Sequence, residues 1–322
     1  MAGRAQTWPN RPGEPGKPST AGRNPLTCPP AMVNRVARNH ARGLGLGAFL
    51  SGFVPGLLQY QLGQKRRAAI AFVSCFVLFF VGWVVVKERL YYWALLTPDT
   101  PPGGGTGTLQ MLARFGLPIT LPELLNAPAN AIGAMLAWDA TPSGERLWRL
   151  PRAFEHLFAW LTAASGMLAA FWSAAGHWDL RWRRDSGDNT PAPSANPALC
   201  AALSWLVPGL GHARAGQKDK GMLMGAAVVI VFVMGLLFSH GHAVDRAEAS
   251  VWWIGQNLFG GGSLFAALVT GPWERIGAPQ ELDLGVVLCT VAGLMNLVVM
   301  VDAFTVAERS SFPLPQQAEV KA

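Results

Sequence analysis

The side chains that could do chemistry in an apolar setting are few and lie late in the sequence. Asp302, in Val-Val-Met-Val-Asp302-Ala-Phe, sits inside an apolar run. Carboxylates at membrane depth are costly and often mark ion or proton paths. Its position weakens that reading. Asp302 falls about eighteen residues into its segment, roughly 27 Å from the start, near the far interface of a ~30 Å hydrocarbon core. A hydrated aspartate there needs no function. Asn296 lies deeper and suits a hydrogen bond to a neighbouring helix, worth about 0.6–2 kcal/mol in lipid. His212 follows the break Pro208-Gly209-Leu-Gly211, where freed backbone carbonyls would hold it as a clasp. An imidazole in that place is also suited to carry a proton.

Other constellations are poorer. His240-Gly-His242 brings two imidazoles close but has no third ligand at a recognised spacing, so no metal site is expected. Thr120-Leu-Pro122-Glu123 has capping-box spacing, which assigns Glu123 to a helix start. Residues 260–262 are three glycines, but no strand precedes them and no Gly-Lys-Ser/Thr follows, so they are not a phosphate loop. No Gly-x-Ser-x-Gly elbow occurs. The expectation is a protein that is not an enzyme and holds no cofactor. Cys28, Cys75, Cys200 and Cys289 form no Cys-x-x-Cys, and Cys75 and Cys289 stand in apolar runs, where cysteine acts as a small hydrophobe.

The elements that must carry these residues read as membrane segments. Apolar residues make up 51% of the 322-residue chain and charged residues 14%, well below the quarter usual in soluble domains. The net charge of +7 is concentrated before the first apolar segment, where seven arginines and lysines face Glu14 alone. Basic residues before a membrane segment favour cytoplasmic retention. No aromatic interleaving or motif points to nucleic acid.

One motif occurs twice. Ser51-Gly-Phe-Val-Pro55-Gly56-Leu leads to Gly63-Gln64-Lys65, and Ser204-Trp-Leu-Val-Pro208-Gly209-Leu leads to Gly216-Gln217-Lys218, at a constant offset of 153 residues. Each copy runs on into a long apolar stretch, and Gly166 aligns with Gly293 in the last segment of each. The fold class expected is an all-α membrane protein of two parallel tandem repeats, each with about four hydrophobic helical segments. Residues 1–42 read as a disordered basic Pro/Gly-rich tail, 43–184 as repeat 1, 185–196 as a linker, 197–309 as repeat 2 and 310–322 as a tail. Within the repeats, 68–86, 222–238 and 284–307 suit spans. Residues 254–272 form an apolar stretch bracketed by tryptophans, and Tyr91-Tyr92-Trp93 reads as an interfacial belt. Pro55 and Pro208 each free a carbonyl, whereas Gly56, Gly209, Gly211, Gly63 and Gly216 permit close approach or tight reversal. Whether those Pro-Gly segments cross or dip and return stays open. Either way the parity is even, which with the basic tail places both termini in the cytoplasm.

At Leu206-Val-Pro-Gly-Leu-Gly-His212-Ala-Arg-Ala-Gly216-Gln217 the chain resembles the Pro-Gly-x-Gly hairpin of small bacterial membrane proteins, loosely shared by the two-transmembrane-helix domain family. With Trp252-Trp253-Ile-Gly-Gln256 and Val291-Ala-Gly293-Leu-Met-Asn296-Leu, the second half is similar to a bacterial membrane family of unknown function. That resemblance implies an architecture and no activity. In the first copy His212 is replaced by Gln59, Asn296 by Ala169 and Asp302 by Ala175, so any chemistry is expected in the second. The leading expectation is a structural or assembly role through helix packing, with the bilayer, itself or other membrane proteins as partners. The alternative is a small transporter or channel whose polar site lies in repeat 2.

Overall fold

Stretches of unbroken apolar sequence without internal proline form the long helices, and the Pro-Gly motifs interrupt the rest. The computed structural model describes residues 45–91, 121–140, 154–186, 196–246, 250–269 and 281–311, and their regular elements are all helical. The tail 1–42, most of the linker and the C-terminal tail, and Tyr92-Trp93 lie outside the described residues. The first half holds α1 (Gly45–Leu50), α2 (Leu57–Gln61) and α3 (Lys65–Val86), then 3-10 turns at Lys87–Tyr91 and Glu123–Asn126, α4 (Ala127–Ala140) and α5 (Glu155–Ser186). The second holds α6 (Pro197–Leu206), α7 (Leu210–Arg214), α8 (Lys218–Phe238), α9 (Ser250–Gln256), α10 (Gly260–Val269) and α11 (Leu282–Ser311).

Among the described residues, α3, α5, α8 and α11 are long and apolar enough to cross a membrane. The 22 residues of α3 rise about 33 Å, enough for a ~30 Å core. Ile70, Val73, Val77 and Val81 on α3, and Leu223, Ile230 and Leu237 on α8, are exposed. An apolar belt of that extent suits lipid and not water. These helices fit a membrane protein.

The other segments are too short to cross. The ten residues of α6 rise about 15 Å, half the core. Asn196 caps α6, its side chain accepting from the amides of Ala198 and Leu199, with Pro197 in the first turn. The helix stops because Pro208 has no N–H, and Gly209 then takes φ 84 to begin α7, which turns back against α6. The apolar stretch 254–272 is not one helix either: residues 257–259 break it into α9 and α10. In the first half Pro128 does not kink α4, because it falls in that helix's first turn.

The ends of the long helices sort by charge. Arg67 pairs with Asp179 at 2.7 Å, joining the start of α3 to the end of α5. Lys220 pairs with Asp302 and Arg181 with Glu308, joining α8 to α11 and the two halves to each other. Lys65, Arg66, Arg183, Arg184, Arg214, Lys218 and Arg309 sit on the same end of the assembly. The other end carries Glu155, Asp245, Glu281 and Asp283 against Lys87 and Arg246. Four crossing segments per half would strand Lys65-Arg66-Arg67 away from the remaining basic residues. The reversal between α1 and α2 removes that conflict.

Geometry recurs between the halves. Helices α2 and α7 begin at 57 and 210, α3 and α8 at 65 and 218. Gly56 and Gly209 have φ 81 and 84, Gly63 and Gly216 have φ 77 and 89. A Cβ on Gly56 would meet the Ala68 carbonyl, and one on Gly209 the Gly221 carbonyl, again 153 residues on.

Candidate functional site

The two broken segments of the second half approach from opposite ends and meet near mid-height. Trp205, at the end of α6, donates through Nε1 to the Asn257 carbonyl at 2.8 Å. Gly261 lies so close to the Leu206 carbonyl that a Cβ would come within 1.8 Å of it, and Gly260 likewise leaves room for the Trp205 ring. Thus residues 260 and 261 are glycine because two hairpin tips touch there, whereas Gly262 makes room for the Phe259 and Phe232 rings.

Asn296, halfway along α11 and fully buried, clamps both tips. Its Nδ2 donates to the Ser204 carbonyl at 3.1 Å and to the Leu258 carbonyl at 2.9 Å. The first acceptor has a clear origin. In a continuous helix Ser204 would accept from residue 208, but Pro208 has no N–H to give. Pro208 therefore frees a carbonyl, and Asn296, nearly ninety residues later, satisfies it. Around the junction Asn296 Oδ1, Gln256 Oε1 and both side-chain polar atoms of Asn257 are buried without a hydrogen-bond partner among the described residues. Native interiors pair most such groups, through protein or ordered water.

A second cluster lies on the basic end. His212, fully buried in α7, sits with Nε2 2.6 Å from Asp302 Oδ2. The carboxylate can only accept, so Nε2 carries the proton. Lys220 reaches the same oxygen at 2.5 Å, and Asp302 is one-third exposed. The histidine clasp thus closes on a carboxylate and not on a freed carbonyl. Asn296 does not join this cluster. Gly209, Gly221 and Gly225 let the hairpin lie backbone to backbone on α8, and Gly211 N–H donates to Ser204 Oγ at 3.1 Å. Gly63 and Gly216 have open space around them, so their role is the positive φ alone. Gln64 and Gln217 precede α3 and α8 without capping them, and Gln64 bonds Asp179 at 3.3 Å. Pro55 is buried at the α1–α2 reversal.

The first half keeps polarity that offset alignment misses. Gln59, in place of His212, is buried and donates to the Trp172 carbonyl at 2.6 Å. Asp179 lies one helical turn beyond Ala175, the position matching Asp302, and takes Arg67 where Asp302 takes Lys220.

Glu123 does not cap a helix. Pro122 holds the cap position without a side-chain bond, and Glu123 is fully buried. It accepts from Thr162 Oγ1 at 2.7 Å and from both Nη atoms of Arg246 at 2.5 and 3.0 Å. The Arg246 guanidinium also lies 4.5 Å over the Trp253 ring. This ion pair ties the two halves together at the end opposite the basic cluster. The sequence signal was a carboxylate in an apolar stretch, which requires a cation somewhere. Local spacing could not identify Arg246, 123 residues away. Tyr91, just past the end of α3, is buried against protein, its hydroxyl donating to the Asn130 carbonyl at 3.0 Å. Burial, then the nearby Glu123 charge, push its phenol well above the ordinary range.

No curated protein and no solved structure matches the chain. Residues 199–312, from the first turn of α6 to just past the end of α11, match a family of unknown function, DUF6677, so both hairpins, the Asn296 clamp and the His212–Asp302 pair lie within the stretch similar to that family.

Proposed function

We propose that the chain is a parallel tandem duplication in the bacterial inner membrane, and that its opposed half-helices form the closed path of a small channel or transporter for a neutral polar solute. The observation that carries this reading is the Asn296 clamp on two hairpin tips at mid-height. Broken backbone at membrane depth persists where protein buries it or where it lines an aqueous cavity. The breaks at Pro55-Gly56 and Pro208-Gly209 also stand at corresponding places of the two halves, where transport proteins put their sites. The groups left unpaired at the junction are carboxamides, which suits a neutral solute with donors and acceptors. The sequence favoured a structural role because buried polarity looked sparse. The interior instead buries Asn126, Asn130, Gln256, Asn257 and Asn296 besides the charged pair, which moves the balance to a path. The duplication is supported by helix starts and positive-φ glycines that recur 153 residues apart. The basic end faces the cytoplasm in this reading, and both termini lie on that side.

Proteoliposomes shrunk with glycerol or urea test the path. Protein-dependent re-swelling is expected, faster for Asn296→Ala, which releases the tips. Permeability equal to empty vesicles for both proteins would refute conduction. It would leave a non-enzymatic packing or assembly role, the second reading, which the tight contact of Gly261 with Leu206 favours.

A further inference from the structure

On the outer face of α3, Ile70, Val73, Val77 and Val81 line an apolar groove of about 770 Å³, closed on one side by Leu78 and by Leu168 of α5. The groove spans about twelve residues of helix, close to 18 Å, roughly the depth of one leaflet. Its one polar side chain, Ser74, bonds the Ala71 carbonyl and so presents no free donor. Above its basic-end mouth stand Lys65 and Arg66, both exposed and one turn before Ala69 and Ile70. Arg67 is engaged inward with Asp179. The corresponding face of α8 differs in both respects. Asp219 stands where Arg66 does, and Met222 and Met234 replace Ala69 and Val81 with longer side chains.

We infer that this groove is a binding site for an anionic phospholipid, one acyl chain lying along α3 and the headgroup phosphate held by Arg66 and Lys65. The complementarity is double: an apolar slot of leaflet depth and a pair of cations at the level of the headgroups. A cation near an anionic lipid surface contributes about a fivefold preference, so the two together give about a thirtyfold preference over a zwitterionic lipid. The site is independent of any path through the hairpins.

The full chain, reconstituted in equal phosphatidylglycerol and phosphatidylcholine and then extracted in mild detergent, is examined by native mass spectrometry. Wild type should retain phosphatidylglycerol selectively. Lys65→Gln with Arg66→Gln should lose the selectivity about thirtyfold while still retaining some lipid. Val77→Trp should lose bound lipid of both kinds by filling the slot. Lys218→Gln, the matching cation of α8, should retain lipid as wild type does, which controls for net charge. Equal retention of the two lipids by wild type would overturn the proposal, and so would undiminished selectivity in the double variant. Disulfide dimers of a Val77→Cys protein, in a background with Cys28, Cys75, Cys200 and Cys289 replaced by alanine, would also overturn it, by showing that a second copy fills the groove.

Discussion

At the scale of single residues, the same glycine can be required for two different reasons. Gly209 has both a positive φ and a carbonyl 1.9 Å from where a Cβ would stand, whereas Gly216 has the φ alone. Asparagine tolerates that backbone region but needs room. Gly216→Asn should therefore cost about 1 kcal/mol or less, and Gly209→Asn about 1–3 kcal/mol, through overpacking. Thermal unfolding in detergent ranks the two, and equal losses would show that conformation alone governs the hairpin. His212→Gln should fall with the mild variant, because Lys220 keeps Asp302 paired. The buried pair behaves differently. Removing Arg246 alone strands the Glu123 carboxylate and should cost about 3–5 kcal/mol, whereas Glu123→Gln with Arg246→Met should cost less than the arginine change alone. A double-mutant cycle measures that coupling, and additive losses would contradict it. For Tyr91 the sign runs one way: a phenol raised above its ordinary value near 10 contributes stability below pH 10 and loses it as pH rises through the folded value. Wild type should thus lose more stability than Tyr91→Phe above pH 10, measured by unfolding across that range.

At the scale of elements, the spans and breaks were largely legible and the meetings between them were not. The run from 68 to 86 announces a crossing helix because nothing in it interrupts either apolarity or hydrogen bonding. The stop at Pro208 follows from the missing N–H. The break between α9 and α10 was missed, because an apolar stretch of spanning length with tryptophans at both ends is also what two half-helices show. What decides for the break is tertiary: the glycines at 260 and 261 are explained by Trp205 and Leu206 arriving from another hairpin. For the same reason Asn296 was legible as a helix-to-helix hydrogen bond, but its two acceptors were not. Asn296→Leu should leave the Ser204 and Leu258 carbonyls buried and unpaired, at about 1–3 kcal/mol each. Amide exchange should quicken at residues 204–212 and 257–262 ahead of the rest of the chain. Uniform exchange across α11 and both hairpins would argue against a local clamp.

At the scale of the whole molecule, the proposed arrangement, in which short segments enter and return, accounts for the charge distribution. Four long helices and half-length hairpins put the basic residues at the starts of α3 and α8 and the ends of α5 and α11 on one end. Counting apolar stretches alone could not show this, since a dip and a crossing have similar composition. Site-directed cysteine labelling in intact cells tests the arrangement most directly, in a background with Cys28, Cys75, Cys200 and Cys289 replaced by alanine. Cysteines at Lys65, Arg184 and Lys218 should resist a membrane-impermeant maleimide until the cells are opened, whereas one at Asp283 should react at once. If Lys65 or Lys218 reacted from outside while Arg184 stayed protected, the Pro-Gly segments would cross the membrane and the meeting of hairpin tips would be wrong.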